Sequence, residues 1–159
     1  MSQVAAGPTA RAALTLTRET EHAGSDWVPV LAEVPLFRSV SRRHLKRVAA
    51  LARIRRYGAG TSIVRPGDAG SAFYVIIEGA ARVVTPTGRV QRLKVGDAFG
   101  EMALLDDSPR SAEVVAEGEV RTMTISRSAF GKLLRSEPGL AHELLRTLAA
   151  RLRAAEKTV

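Results

Sequence analysis

The spacing of apolar residues changes twice along the chain, and the changes predict helices, then strands, then helices again. Residues 1–28 are rich in Ala, Thr, Gly and Ser without a sustained period, and read as a disordered N-terminal tail. Residues 29–159 read as a single domain. It opens with "VLAEVPLF", where Leu31, Val34, Leu36 and Phe37 cluster around Pro35. Ser41 is placed to cap a helix with Leu45, Val48 and Ala52 on one face, and the basic run that follows extends this helix over residues 41–56.

In the middle third the helical period gives way to short runs punctuated by Gly and Pro. "TSIVRPGDAG" predicts a strand running into a turn at Pro66-Gly67-Asp68. "AFYVIIEG" and "ARVVTPTG" predict two strands separated at Gly79, and "VQRLKVGD" a further strand after the Thr87-Gly88 turn. "AEVVAEGEVRTMTI" predicts two more, joined around Gly118. β-Branched runs with turn residues roughly every 8–12 positions favour an antiparallel barrel or sandwich over a parallel sheet. The last third is helical: Ser126 can cap "RSAFGKLLRS", and Pro138 suits the first turn of "PGLAHELLRTLAARLRAAEK". Leu140, Leu144, Leu145, Leu148 and Leu152 form a stripe at helical spacing. The predicted fold class is α+β, a β-barrel flanked by terminal helices.

Composition narrows the function classes. The 159 residues include no cysteine, which excludes a disulfide framework and thiolate metal sites and fits a cytoplasmic protein. No apolar run approaches the roughly 18 residues needed to span a bilayer, and the first residues lack a signal-like apolar core. The formal net charge of +8 is unevenly placed: residues 1–58 carry ten Lys/Arg against four Asp/Glu, whereas residues 59–130 carry eight against nine. The basic excess lies at the two ends, which does not suit a nucleic-acid face spread over the main domain.

The candidate chemistry lies in residues 99–114, "FGEMALLDDSPRSAEV". Glu101 and Arg110 are charged residues in an otherwise packable stretch, and such residues are rarely buried without partners. Gly100 lets the backbone approach something closely, and a helical turn from Glu101 presents unpaired N–H groups suited to an anion. The guanidinium fork of Arg110, with Ser111 beside it, matches two phosphate oxygens. Glu101 only accepts hydrogen bonds, so its complement must donate, as a sugar hydroxyl does. A phosphate and a ribose hydroxyl close together describe a nucleotide.

This stretch resembles the phosphate-binding cassette of the cyclic nucleotide-binding domain family, F-G-E-x-A-L-L-x-x-x-P-R-x-A-x-V, without an insertion. "IVRPGDAGSAFYVIIEGAARVV" and the preceding "VPLF" are similar to the family's first barrel hairpins and entry segment, so the resemblance covers residues 34–156. It implies an eight-stranded, jelly-roll-like antiparallel barrel with an N-terminal helical bundle and C-terminal helices called B and C. By the same resemblance Glu101 holds the ribose 2′-hydroxyl and Arg110 the cyclic phosphate, which Ser111 also touches. Backbone amides from Gly100 through Met102 to Ala103 complete the anion site. Serine at position 111 resembles bacterial cAMP-binding activators, so cAMP is the expected ligand, with cGMP as the alternative. No cofactor or metal is expected beyond that ligand.

Other readings compete. Glu101 and Arg110 can simply satisfy each other, although the full pattern weighs against this. Asp106 and Asp107 are adjacent in a turn and read as a solvated loop, and His22, His44 and His142 lack ligand-like spacing. The leucine stripe either packs only on the barrel or serves as lid and homodimer seam, with Leu144, Leu145 and Leu148 the candidate lid residues. The helix over 41–56, with seven Lys/Arg and no acid, is a solvated face or a docking surface; no aromatics interleave with its arginines. The expectation is a stand-alone receptor, not an enzyme, that signals to an effector protein by moving its C-terminal helices. A DNA-associated regulator using the basic helix and a scaffold barrel without ligand are the alternatives.

Overall fold

The structure, a computed structural model, describes residues 27–68, 72–106, 108–110 and 112–157. Most of the predicted tail therefore lies outside the described residues, but Val28 is buried and opens the first helix, α1 (Val28–Ala32). A 3-10 turn at Pro35–Phe37 follows, then α2 (Arg42–Ala49), whose cap is the expected one: the Ser41 hydroxyl oxygen accepts from the His44 N–H at 3.3 Å.

The chain then becomes extended earlier than its basic run suggests. Arg53–Tyr57 is strand β1, not the end of the helix predicted over 41–56. Ile54 and Tyr57 find partners only in a sheet: β1 pairs antiparallel with a distant strand in the register Ile54↔Met123 and Tyr57↔Val120. The seven basic residues are thereby split, with Arg42, Arg43, Lys46 and Arg47 on α2 and Arg53, Arg55 and Arg56 on β1.

The remaining strands are β2 (Ser62–Val64), β3 (Ala72–Val84), β4 (Val90–Leu93), β5 (Ala98–Phe99) and β6 (Glu113–Ser126). They form one antiparallel sheet of six strands in the order β1-β6-β3-β4, with β2 also on β6 and β5 also on β3. This is an open arrangement of six strands where eight in a closed barrel were expected. The difference arises at two glycines read as ends of strands. Gly79 (φ +87) and Gly118 (φ +76) lie inside β3 and β6, which continue through them.

Gly79 changes what β3 can do. The β3–β6 register shifts on both sides of Glu78, and a Cβ on Gly79 would collide with the Glu119 carbonyl. A one-residue irregularity exchanges the faces of a strand. Before it, Phe73 and Val75 face the helices and Ile76 the opposite side; after it, Ala81 and Val83 join Ile76. Two apolar clusters result, one on each side of β3.

On the helical side, Phe37 packs on Phe73 edge-on with centroids 6.0 Å apart, and on Phe130 at the same distance. Phe130 comes from α3 (Arg127–Ser136), capped as expected by Ser126, whose hydroxyl accepts from the Ala129 N–H at 3.1 Å. Helix α4 (Pro138–Lys157) follows and buries Leu140 and Leu144 in this cluster, whereas Leu145 and Leu152 are 63% and 62% exposed. The leucine stripe is thus two faces, and only one of them is core. No helix among the described residues is long and apolar enough to cross a membrane.

A polar clasp joins α2 to the α3–α4 junction. The buried His44 places Nδ1 2.8 Å from a Glu143 carboxylate oxygen and Nε2 3.6 Å from one of Glu137, which Arg47 also meets at 3.5 Å. A carboxylate only accepts, so Nδ1 carries the hydrogen toward Glu143. Burial pushes the Glu143 carboxyl upward, but hydrogen bonds from His44 and Ser41 and the charge of His44 outweigh it and hold the group below its ordinary value. A depressed carboxylate stabilises the fold above its unfolded pKa and loses that contribution as pH falls through its folded pKa. Glu143→Gln should therefore lower stability by about 1 kcal/mol at neutral pH, allowing for partial solvent screening. Thermal unfolding from pH 7 to pH 3 should show the difference from wild type shrinking on the acid side.

Candidate functional site

The stretch 99–110 crosses the end of the sheet and is pinned on both faces of β3. Phe99 stacks on Tyr74 with centroids 4.8 Å apart and planes at 12°, on the side away from the helices. Leu104 is buried in the helical cluster on the other side. Between these anchors, Gly100 adopts the left-handed conformation (φ +78) and starts a 3-10 turn over Glu101–Leu104, where a helical turn was expected. The turn and the returning chain form a cleft of about 300 Å³ lined by Gly100, Glu101, Met102, Ala103, Asp106, Ser108, Pro109 and Arg110. The structure thus brings together five of the six residues predicted to bind ligand. The sixth, Ser111, lies outside the described residues, as does Asp107.

Arg110 is held by its backbone and its side chain. Its N–H donates to the Asp68 carbonyl and its own carbonyl accepts from the Gly67 N–H, both at 2.8 Å, so the turn at Pro66-Gly67 fixes where it sits. Its guanidinium donates to the Ala72 carbonyl at the start of β3. Burial pushes the guanidinium below the ordinary arginine value, with Tyr74 and Asp68 acting the other way. An arginine remains cationic in a protein, so a partly buried positive charge faces the cleft with one neutral acceptor among the described residues. What Gly100 allows to approach is this same side chain: a Cβ there would collide with the Arg110 guanidinium and the Ala72 carbonyl oxygen.

Glu101 is not paired with Arg110. One carboxylate oxygen accepts from the Leu36 N–H at 3.3 Å, and the other from Arg151 of α4 at 3.0 Å. Arg151 also reaches the Met102 sulfur at 3.7 Å. The reading in which Glu101 and Arg110 merely neutralise each other is therefore set aside by geometry. Neither Arg151 nor the Leu36 amide was anticipated. Arg151 was legible in principle, since it continues the face of Leu144 and Leu148 by one turn, but a search confined to apolar residues passes over it.

Of the candidate lid residues, Leu144 is buried among the helices, Leu148 is half-buried against the same cluster, and Leu145 points to solvent. From α4, Arg151 hydrogen-bonds to the cassette. The helix is also tied to the entry segment, because the buried Thr147 hydroxyl accepts from the Ser39 N–H at 3.3 Å. Residues 36–39 thus donate one amide to the cassette glutamate and another to α4.

With this geometry in place, comparison with known proteins gives a consistent result. The family model for the cyclic nucleotide-binding domain matches residues 54–137, and the chain belongs to that family. Curated relatives include the cAMP-dependent protein kinase regulatory subunits of Colletotrichum orbiculare, 35% identical over 112 residues, and Aspergillus niger, 40% over 106. These alignments cover 69% and 65% of this chain but only 29% and 26% of the relatives, so the chain spans less than a third of their length. Among solved structures, the N-terminal domain of a transcriptional regulator from Streptomyces coelicolor A3(2) superposes with a TM-score of 0.70 at 28% identity, covering 80% of this chain and 95% of that one. The regulatory domain of Toxoplasma gondii PKA, co-crystallised with cAMP, superposes with a TM-score of 0.61 at 28% identity, covering 80% and 49%.

The crowding at Gly100 gives a direct test. Gly100→Ala should destabilise the fold by roughly 1–2 kcal/mol through its left-handed backbone alone. It should also push the Arg110 guanidinium off the Ala72 carbonyl. Urea unfolding reads the first effect, and a shift of the Arg110 side-chain NMR resonance the second.

Proposed function

We propose that the chain is a receptor domain for a cyclic nucleotide, with cAMP as the ligand, and that it regulates a partner protein through its C-terminal helices. The observation that carries the reading is the pairing of unlike groups in one cleft. Arg110 offers a partly buried cation whose guanidinium, among the described residues, donates to one neutral carbonyl, while Glu101, nine residues earlier, presents a carboxylate. A cyclic phosphate with a neighbouring ribose 2′-hydroxyl supplies an anion for the first and a donor for the second. The relatives named as cAMP-dependent kinase regulatory subunits, and the neighbour crystallised with cAMP, support the choice of ligand. In this reading Ser111 and the Met102 amide add to the phosphate site, whereas the Ala103 N–H expected to join them donates instead to the Gly100 carbonyl at 3.0 Å, and residues 29–159 act as one unit.

The output follows from who holds Glu101 before ligand arrives. A 2′-hydroxyl hydrogen-bonding to Glu101 competes with Arg151 for the same carboxylate, and α4 gains freedom to shift. The Ser39–Thr147 contact carries the same movement to the entry segment. Leu145 and Leu148 are then the residues able to close over the base, since Leu144 is committed to the core. Ligand shifts such an equilibrium only by its differential affinity for the two states.

Calorimetric titration with cAMP, and with cGMP in parallel, tests the reading: saturable binding with preference for cAMP supports it, and absence of heat with a folded protein refutes it. Arg110→Ala should weaken cAMP binding about 10- to 150-fold, the equivalent of one charge-assisted hydrogen bond. Glu101→Gln should do less harm, because its amide oxygen still accepts. Arg151→Ala should tighten binding roughly two- to fivefold, since a partly exposed ion pair no longer competes.

A further inference from the structure

A second cleft of about 460 Å³ lies on the face of the sheet opposite the helices, distinct from the cassette. It is lined by Arg55 and Tyr57 of β1, Tyr74 of β3, Thr124 of β6, and Arg127 and Ser128 at the start of α3. Among the described residues, no acidic one lines it. Neither Arg55 nor Arg127 has a carboxylate partner among the described residues, although arginines 56, 82, 92, 121 and 151 all have one. A chain of hydroxyls runs beneath the cleft. Tyr57 sits beside Thr122, whose hydroxyl lies 2.9 Å from that of the buried Thr124. Burial, then the neighbouring Tyr74, raises the Tyr57 phenol above its ordinary value, so it stays protonated and able to donate.

We propose that this cleft is a second ligand site, for a small organic anion whose phosphate or carboxylate is held by Arg55 and Arg127 and whose ring or sugar body lies against Tyr57 and Tyr74. Its size suits such a molecule, since ligand clefts commonly measure roughly 300–1,000 Å³. Its chemistry selects for charge, because the charged groups among the described lining residues are both cationic, and the others are hydroxyl-bearing or aromatic except Ala72. The two clefts meet at one backbone group: Ala72 lines this cleft, and its carbonyl oxygen accepts from Arg110 of the cassette.

The test is an NMR titration of the full chain with phenyl phosphate, with inorganic phosphate in parallel. The expected result is saturable perturbation of the Arg55, Thr124, Arg127 and Ser128 amides, tighter for phenyl phosphate than for inorganic phosphate. Arg55→Gln and Arg127→Gln should each weaken it about tenfold, the equivalent of one lost charge-assisted contact. Unchanged β3 and β6 amide shifts in the free variants verify their fold. Arg110→Ala should leave this binding in place, so the site stands or falls separately from the cyclic nucleotide reading. Perturbation confined to residues 100–110, or affinity unaltered by both glutamine variants, would overturn the proposal. Equal binding of both probes would overturn the organic-ligand assignment.

Discussion

The antiparallel pairing of β3 with β6 is the interaction on which everything else rests. It runs from Ala72↔Ser126 to Val84↔Glu113, and every other strand pairs with one of these two. The helices pack on one face of this ribbon through Phe73, Val75, Met123 and Ile125, and the second apolar cluster fills the other through Ile76, Ala81 and Val120. Because the irregularity at Gly79 exchanges the faces of β3, one strand serves the helical core at its beginning and the opposite cluster at its end. The cassette is then fixed by its two anchors across the earlier part of that strand, Phe99 on Tyr74 and Leu104 among the helices.

That placement explains why the two charged residues of the cassette behave differently. Arg110 is bound to the scaffold at both of its backbone groups and at its tip, all within the β2–β3 region. Glu101 is held by elements outside the sheet, the entry segment and α4. One half of the site is therefore rigidly framed, and the other is shared with helices that have fewer ties to the sheet. The proposed receptor role calls for this division, since a fully rigid site reports nothing and a fully mobile one binds weakly.

Much of this was legible from the residues alone. Ser41, Ser126 and Pro138 marked helix starts because capping chemistry is local, and the stretch 99–114 stood out because charge in an apolar stretch needs a partner; five of the six residues named there line one cleft. Strand count was less legible: Gly79 and Gly118 look like turns in sequence, and only pairing with a distant strand shows that the chain continues through them. The same holds for residues 53–57, whose arginines suit a helix until Ile54 and Tyr57 are matched to β6. The contacts of Glu101 with Leu36 and Arg151 span 65 and 50 residues, and no local pattern encodes a contact at that range.

The shared hold on Glu101 has a consequence for how ionic strength acts on the site. Under the proposed function, added salt screens the attraction between Arg110 and an anionic ligand, which weakens binding, but it also screens the Arg151–Glu101 pair that a ligand reaching for that carboxylate must disturb. The second pair is more open to solvent, with side chains 39% and 21% exposed. The two effects have opposite signs, so apparent affinity in the cassette is buffered against changes in the surrounding electrolyte. A site built from the arginine alone would have no such buffering.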